Sequence, residues 1–298
     1  MTDAYTAEEL QARRKPLFRF LIFFIVLLAV AAAFVFSDPE RLGGWFLAFT
    51  DKRNAAVVQK PAEAAPEKAR EAVGRYFQVA RLFTGTHAAL DSLNRIGSVA
   101  MARGEYELAR QVYEPVCTRY SQYRDECQMS QILIGRSYEA QKQWDKAEQA
   151  YLGLERFYLW SPTWIEAPLY PAQMYERHGM PDKAKEAYRR AKATSLKRIK
   201  ATKDPDVVTL LAWQLIKIYQ GLDNWQGAQQ QLRNIIDSGL LRPEKKPDFI
   251  FELASVLERH FRYGEARLFL MKFVEEFPDS PKVPEARRIL GTISNETR

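Results

Sequence analysis

Histidine and cysteine are scarce, with three of one and two of the other in 298 residues. His87, His178 and His260 stand far apart and no metal-ligand spacing joins them, so neither a metal cage nor a histidine-based catalytic constellation is legible. No G-x-S-x-G, phosphate-loop or His-Glu-x-x-His motif occurs. Two cysteines exclude a disulfide-dense mini-domain. Fourteen Gly and 15 Pro exclude a collagen-like or low-complexity chain. Long apolar runs are equally sparse. There is one, and the mean hydropathy of −0.37 excludes a polytopic membrane protein. The expectation is a chain without catalysis and without a cofactor or metal.

What is present favours folding: 47% hydrophobic and 12% aromatic residues against 27% charged. The net charge of +7 suits an anionic partner. No zinc-ligand pairs or aromatic RNA-binding strand motif accompany it, so no nucleic-acid partner is expected.

The single apolar run is Phe20 to Phe36, FLIFFIVLLAVAAAFVF. As a helix these 17 residues span about 25 Å, close to a hydrocarbon core. Arg13, Arg14, Lys15 and Arg19 precede it, and Ser-Asp-Pro-Glu follows. The cations place the amino terminus in the cytoplasm and the rest outside it. The run predicts an uncleaved anchor in the cytoplasmic membrane. A cleaved signal peptide ending near Ala31-Ala32-Ala33 is the rival, but the run exceeds the usual apolar core of such peptides and continues as Phe34-Val35-Phe36. The division expected is a tail over 1–19, an anchor over 20–36, a spacer over 37–65 and a helical domain over 66–298. In the spacer, Gly43-Gly44 is expected to break local order, Trp45, Phe46 and Phe49 to sit at the membrane interface, and 54–66 to be a flexible linker.

From Pro66 the pattern is helical. Glu67 to Phe83 forms a first helix, with Ala69, Val73, Phe77, Ala80 and Leu82 near a 3.6-residue spacing. Then one motif recurs: Ile96-Gly97 with Ala109 and Tyr113; Ile134-Gly135-x-x-Tyr138 with Ala147 and Tyr151; Ala172-x-x-Tyr175 with Ala184 and Tyr188; Ile216-x-x-Tyr219 with Ala228 and Leu232; Ala254-x-x-Leu257 with Ala266 and Leu270. The anchor alanines lie 38, 37, 44 and 38 residues apart. A small residue on each helix permits close approach, and the large residue four positions on fills the remaining gap.

This resembles the tetratricopeptide repeat (TPR) family, whose usual period is about 34. The longer intervals imply insertions between repeats. Pro171 falls within the third repeat's first helix, which should start late or kink. A longer helix or loop over 191–206 precedes the fourth repeat, and a capping helix follows Ser280-Pro281. The resemblance covers roughly the last three quarters of the chain. It implies an all-α fold: a TPR-type solenoid of about five helix-turn-helix repeats with a cap, preceded by one transmembrane helix. It also implies a groove lined by first helices, carrying here Asn94, Ser98, Arg136, Glu139, Gln173, Glu176, Trp213, Lys217, Phe251 and Ser255. The chain lacks the basic clamp with which some members read a terminal carboxylate. The final repeat and cap are similar to bacterial periplasmic TPR proteins, and the amino-terminal anchor to those associated with the secretion translocon. The function implied is a non-catalytic adaptor binding protein partners in an envelope assembly or secretion machine. A self-associating scaffold and an organelle-surface receptor facing the cytosol are the alternatives.

Three local features stay open. Cys117 and Cys127 flank one inter-repeat turn, either as a disulfide or as two small buried hydrophobes. Tyr158, Trp160, Pro162 and Trp164 crowd another, as a partner-binding patch or as filling between repeats. Lys183 to Lys203 is rich in cations, suiting either an anionic surface or a solvated helix face.

Overall fold

The structure, a computed structural model, describes residues 38–157 and 165–296. The expected anchor at 20–36, the tail, Trp160 and Trp164 lie outside the described residues. Among the described residues there is no strand, and no helix is long and apolar enough to cross a membrane. The chain divides into two compact units, 1–137 and 138–298.

Unit 1 opens with α1 (Pro39–Gln59), α2 (Pro66–Leu82) and α3 (His87–Ala102). It continues with α4 (Tyr106–Tyr113), the single turn α5 (Val116–Arg119) and most of α6 (Arg124–Ala140). Here the expected break at Gly43-Gly44 is not found, and the linker expected from Asn54 is helical as far as Gln59. Residues 39–59 are one continuous helix that packs on both α2 and α3. Asp38 caps it by accepting from the Glu40 and Arg41 backbone N–H groups, and Pro39 takes the first turn, where no donor is needed. Its inward face is Gly43, Leu47, Thr50, Asn54 and Val57, a regular three-and-four spacing. Gly43 does not break order. A β-carbon there would lie 2.9 Å from the Ala88 β-carbon, so glycine permits the close approach of α1 to α3. Asn54 accepts from Arg75 Nη1 at 2.7 Å, and Asp51 accepts from the Tyr76 hydroxyl at 2.7 Å.

α2 turns its face differently from the expectation. Ala69, Ala72, Tyr76, Val79 and Ala80 are buried, while Phe77 and Leu82 are exposed. Ala72 and Tyr76 repeat the pairing of small residue and aromatic four positions on, 37 residues before Ala109 and Tyr113. α1 and α2 are therefore one more hairpin with this alanine and aromatic pairing than the sequence motif counts, joined by a different turn in which the Lys60 N–H donates to Ala56 O.

Unit 2 holds α7 (Trp144–Phe157), α8 (Leu169–Arg177), α9 (Pro181–Ala201), α10 (Pro205–Gly221) and α11 (Trp225–Asp237). After a 3-10 turn come α12 (Lys246–Arg259), α13 (Tyr263–Glu276) and α14 (Val283–Glu296). α8 does start late, with Pro171 in its first turn. α9 runs 21 residues and takes up the 44-residue interval. The core from α10 to α14 is one aliphatic and aromatic cluster around Phe249, Leu253, Leu270 and Phe273.

Five hairpin turns share one bond. The N–H groups of Glu105, Gln143, Met180, Asn224 and Arg262 donate to the carbonyls of Ala100, Tyr138, Tyr175, Tyr219 and Leu257, at 2.8–2.9 Å. Each turn has one residue at positive φ: Gly104, Lys142, Gly179, Asp223 and Phe261. This left-handed cap satisfies carbonyls that the ending helix would otherwise leave open. The six alanines from Ala72 to Ala266, and the Tyr or Leu four residues after each, are all at most 5% exposed.

Candidate functional site

Each hairpin brings its second helix back along its first, so residues far apart in sequence meet at fixed offsets. In unit 2 the Tyr151 hydroxyl donates to Glu139 at 2.6 Å, and the Tyr188 hydroxyl to Glu176 at 2.8 Å. Both pairs are 12 residues apart. Tyr175 reaches the next acid along, Glu148, at 2.7 Å. Burial first, then the carboxylate each faces, raises the ionisation of Tyr175 and Tyr188 far above the usual phenol range, so both remain neutral donors.

Glu139 is the most heavily engaged of these acids. Arg177 Nη2 donates to it at 3.0 Å and His178 Nε2 lies 2.9 Å away. Its side chain is only 11% exposed. Burial opposes its ionisation, but the bonds from Tyr151, Arg177 and His178 outweigh that and hold the carboxyl below its ordinary value. Glu139 was expected to face a ligand groove. Its carboxylate is instead occupied by neighbours within its own unit.

The histidines are not the isolated residues that the sequence suggests. His178 lies against the Trp144 ring at 4.7 Å between centroids, and His260 stacks on Trp225 at 5.0 Å. In both pairs the tryptophan opens a second helix and the histidine caps the first helix of the following hairpin. These are ring staples between successive hairpins. His87 pairs with Asp91 through Nδ1 at 3.2 Å. Among the described residues no cluster of His, Cys, Asp or Glu is arranged to hold a metal.

The first helices α10 and α12 are joined by Trp213, whose ring lies 4.6 Å from that of Phe249. Trp213 and Phe251 are half-buried against the same core, and Lys282 Nζ lies 5.2 Å from the Phe251 ring centroid. Lys217, one turn after Trp213, is exposed and pairs with Glu166 at 3.1 Å. Gln173 on α8 is half-buried and Glu176 is exposed. Ser255 turns its hydroxyl onto its own helix at Phe251 O. In unit 1, Asn94 on α3 is half-buried, and Ser98 on α3 and Arg136 on α6 are exposed.

No disulfide joins Cys117 and Cys127 in this structure. Each sulfur is directed at a backbone carbonyl, Cys117 Sγ at Cys127 O (3.2 Å) and Cys127 Sγ at Tyr120 O (3.7 Å). The cation-rich helix α9 is partly neutralised within unit 2. Arg190 pairs with Glu148 and Glu186, and Arg198 with Glu155.

No family model and no curated protein matches the chain. Among solved structures, a protein of nearly identical TPR-like repeats from Podosopora anserina is similar at 19% identity over 66% of this chain and 94% of its own, with a TM-score of 0.36. BtubC from P. vanneervenii is similar at 16% identity over 82% and 92%, with a TM-score of 0.38. The pilF protein of Pseudomonas aeruginosa is similar at 13% identity over 83% and 98%, with a TM-score of 0.36. What defines the repeats in this chain is the shared turn, the buried alanine and the side chain four residues on.

Proposed function

We propose that this chain is a non-catalytic, membrane-anchored protein-binding repeat protein, with its hairpin units outside the cytoplasm. The observation that carries the binding reading is the pairing of α10 with α12. It leaves Trp213 and Phe251 half-buried against the apolar core, with the exposed Lys217 one helical turn from Trp213. Aromatic side chains held in place by packing, with a charged residue beside them, are the usual anchors of protein interfaces. The anchoring reading rests on Phe20 to Phe36 and the four cations before it. The partner belongs to an assembly or secretion machine of the cell envelope.

Site-specific photocrosslinking from positions 213 and 217, in native membranes, tests the binding reading. One dominant foreign protein in the adducts supports it. Adducts to the chain itself alone favour a self-associating scaffold. No adduct from either position removes this face as the binding site. A reporter fused to the carboxyl terminus tests topology separately, and cytoplasmic reporter activity would overturn the exported orientation.

A further inference from the structure

The outward side of α1 is unusual for a helix of a folded unit. Trp45 is 57% exposed, Phe46 49% and Phe49 66%. They fall on the first half of the helix, and Arg41, Lys52 and Arg53 lie on the same solvent side, all exposed. The acidic residues of α1 are turned the other way. Glu40 accepts from the His87 backbone N–H at 3.0 Å and from the Tyr123 hydroxyl at 3.3 Å. Asp51 accepts from Tyr76 and pairs with Arg95. α1 thus spends its carboxylates on its own unit and presents Trp45, Phe49 and cations outward, with Phe46 on the flank, its ring 5.3 Å from that of Phe83. Arg41 lies 5.9 Å from the Trp45 ring centroid, so the two are held together on that side.

Position in the chain identifies what this face meets. The apolar run ends at Phe36, two residues before the cap, which is no more than about 7 Å of extended chain. Asp38 is in an extended conformation, φ −108° and ψ 97°, so α1 starts there at its own cap. A helix that starts so close to an anchor and is free of its axis can lie along the surface. From Arg41 to Arg53 the stripe runs about 18 Å. All its rings reach one depth only when the helix axis lies near the membrane plane.

We propose that α1 is an interfacial helix: Trp45, Phe46 and Phe49 sit at the headgroup–acyl boundary, and Arg41, Lys52 and Arg53 contact anionic phospholipid headgroups. Unit 1 is thereby seated on the bilayer by the face opposite its packing on α2 and α3. This rests on the anchoring proposed above.

The test uses the full chain reconstituted into vesicles of phosphatidylcholine and phosphatidylglycerol, with or without bromine on the acyl chains. The fluorescence of Trp45 is the difference between wild type and Trp45→Phe, a change that keeps an apolar ring on an exposed face. The expected result is loss of most of that difference emission in brominated vesicles, with little effect of aqueous iodide. The double variant Trp45→Phe, Phe49→Trp reports one helical turn further on. It should be quenched to a similar extent, because the helix lies flat. A chain that floats with vesicles while its Trp45 emission is untouched by bromine keeps the anchor and overturns the interfacial helix, whether water or a second copy covers the face. Quenching at position 45 but not at 49 overturns the flat orientation. A chain that fails to float overturns anchor and interfacial helix together.

Discussion

The ring of Tyr113 lies directly against the α-carbon of Gly97. A β-carbon built on Gly97 would fall 2.2 Å from Tyr113 Cζ and 2.4 Å from its hydroxyl oxygen. Tyr113 is 1% exposed and has nowhere to retreat. A similar approach of ring to backbone occurs in unit 2 between successive hairpins, where a β-carbon on Gly221 of α10 would fall 2.3 Å from the Tyr188 ring of α9. Close approach of backbone to ring is what the small residue of a first helix provides here.

Gly97→Ala is therefore expected to destabilise unit 1 by about 1–3 kcal/mol through overpacking. Chemical denaturation with the mid-transition followed by circular dichroism measures it. Hairpins with Leu232 and Leu270 at the position of Tyr113 are fully packed, so Tyr113→Leu should restore part of the loss when combined with Gly97→Ala. Strict additivity of the two single losses would contradict the contact.

Lys142 and Phe261 stand at φ 58° and 59°, where glycine occurs in two of the other turns. A side chain at such an angle costs about 1–2 kcal/mol, and glycine loses about half of that gain to chain entropy. Lys142→Gly and Phe261→Gly should each stabilise the protein by about 0.5–1 kcal/mol. A thermal midpoint that falls in both variants would rule out strain at these turns.

Glu139 ties acid stability to unit 2. Its folded pKa lies below the ordinary 4.5, so its contribution is complete above that value. It is lost as pH falls from 4.5 through the depressed value, because the unfolded chain takes up the proton first. Glu139→Gln should lower stability at neutral pH by about 1–2 kcal/mol, since the bonds from Tyr151, Arg177 and His178 lose their charged acceptor. The same variant should show a shallower loss of stability on acidification below about pH 4.5 than wild type. Urea midpoints over that range measure the slope. Identical slopes would mean that Glu139 does not carry the pH dependence.

The helical repeat is legible because it is written locally. Ala147 and Tyr151 lie one turn apart, and their spacing recurs at near-constant intervals. α1 was not legible for a matching reason. Of its five inward residues only Leu47 and Val57 are apolar, while Gly43, Thr50 and Asn54 interrupt the stripe and the large rings point outward. Asp38-Pro39-Glu40 was a usable start signal, as a cap, a first-turn proline and a first-turn acid. Ala72 and Tyr76 were the second, in register with the rest.

The sequence by itself determined the helical character of the chain from Pro66 onward, the hairpin period, the alanines that let helices meet and the single apolar run. These depend on periodicity within one helix or one turn, which the order of residues carries directly. Only the tertiary structure decided what those helices do to one another. It set Trp144 on His178 and Trp225 on His260, drew three donors onto Glu139 and turned Trp45 and Phe49 of α1 to solvent. Those outcomes depend on which faces pack within and between hairpins, so they follow from burial and hydrogen-bond satisfaction across residues 12 to 39 positions apart, which local spacing does not encode.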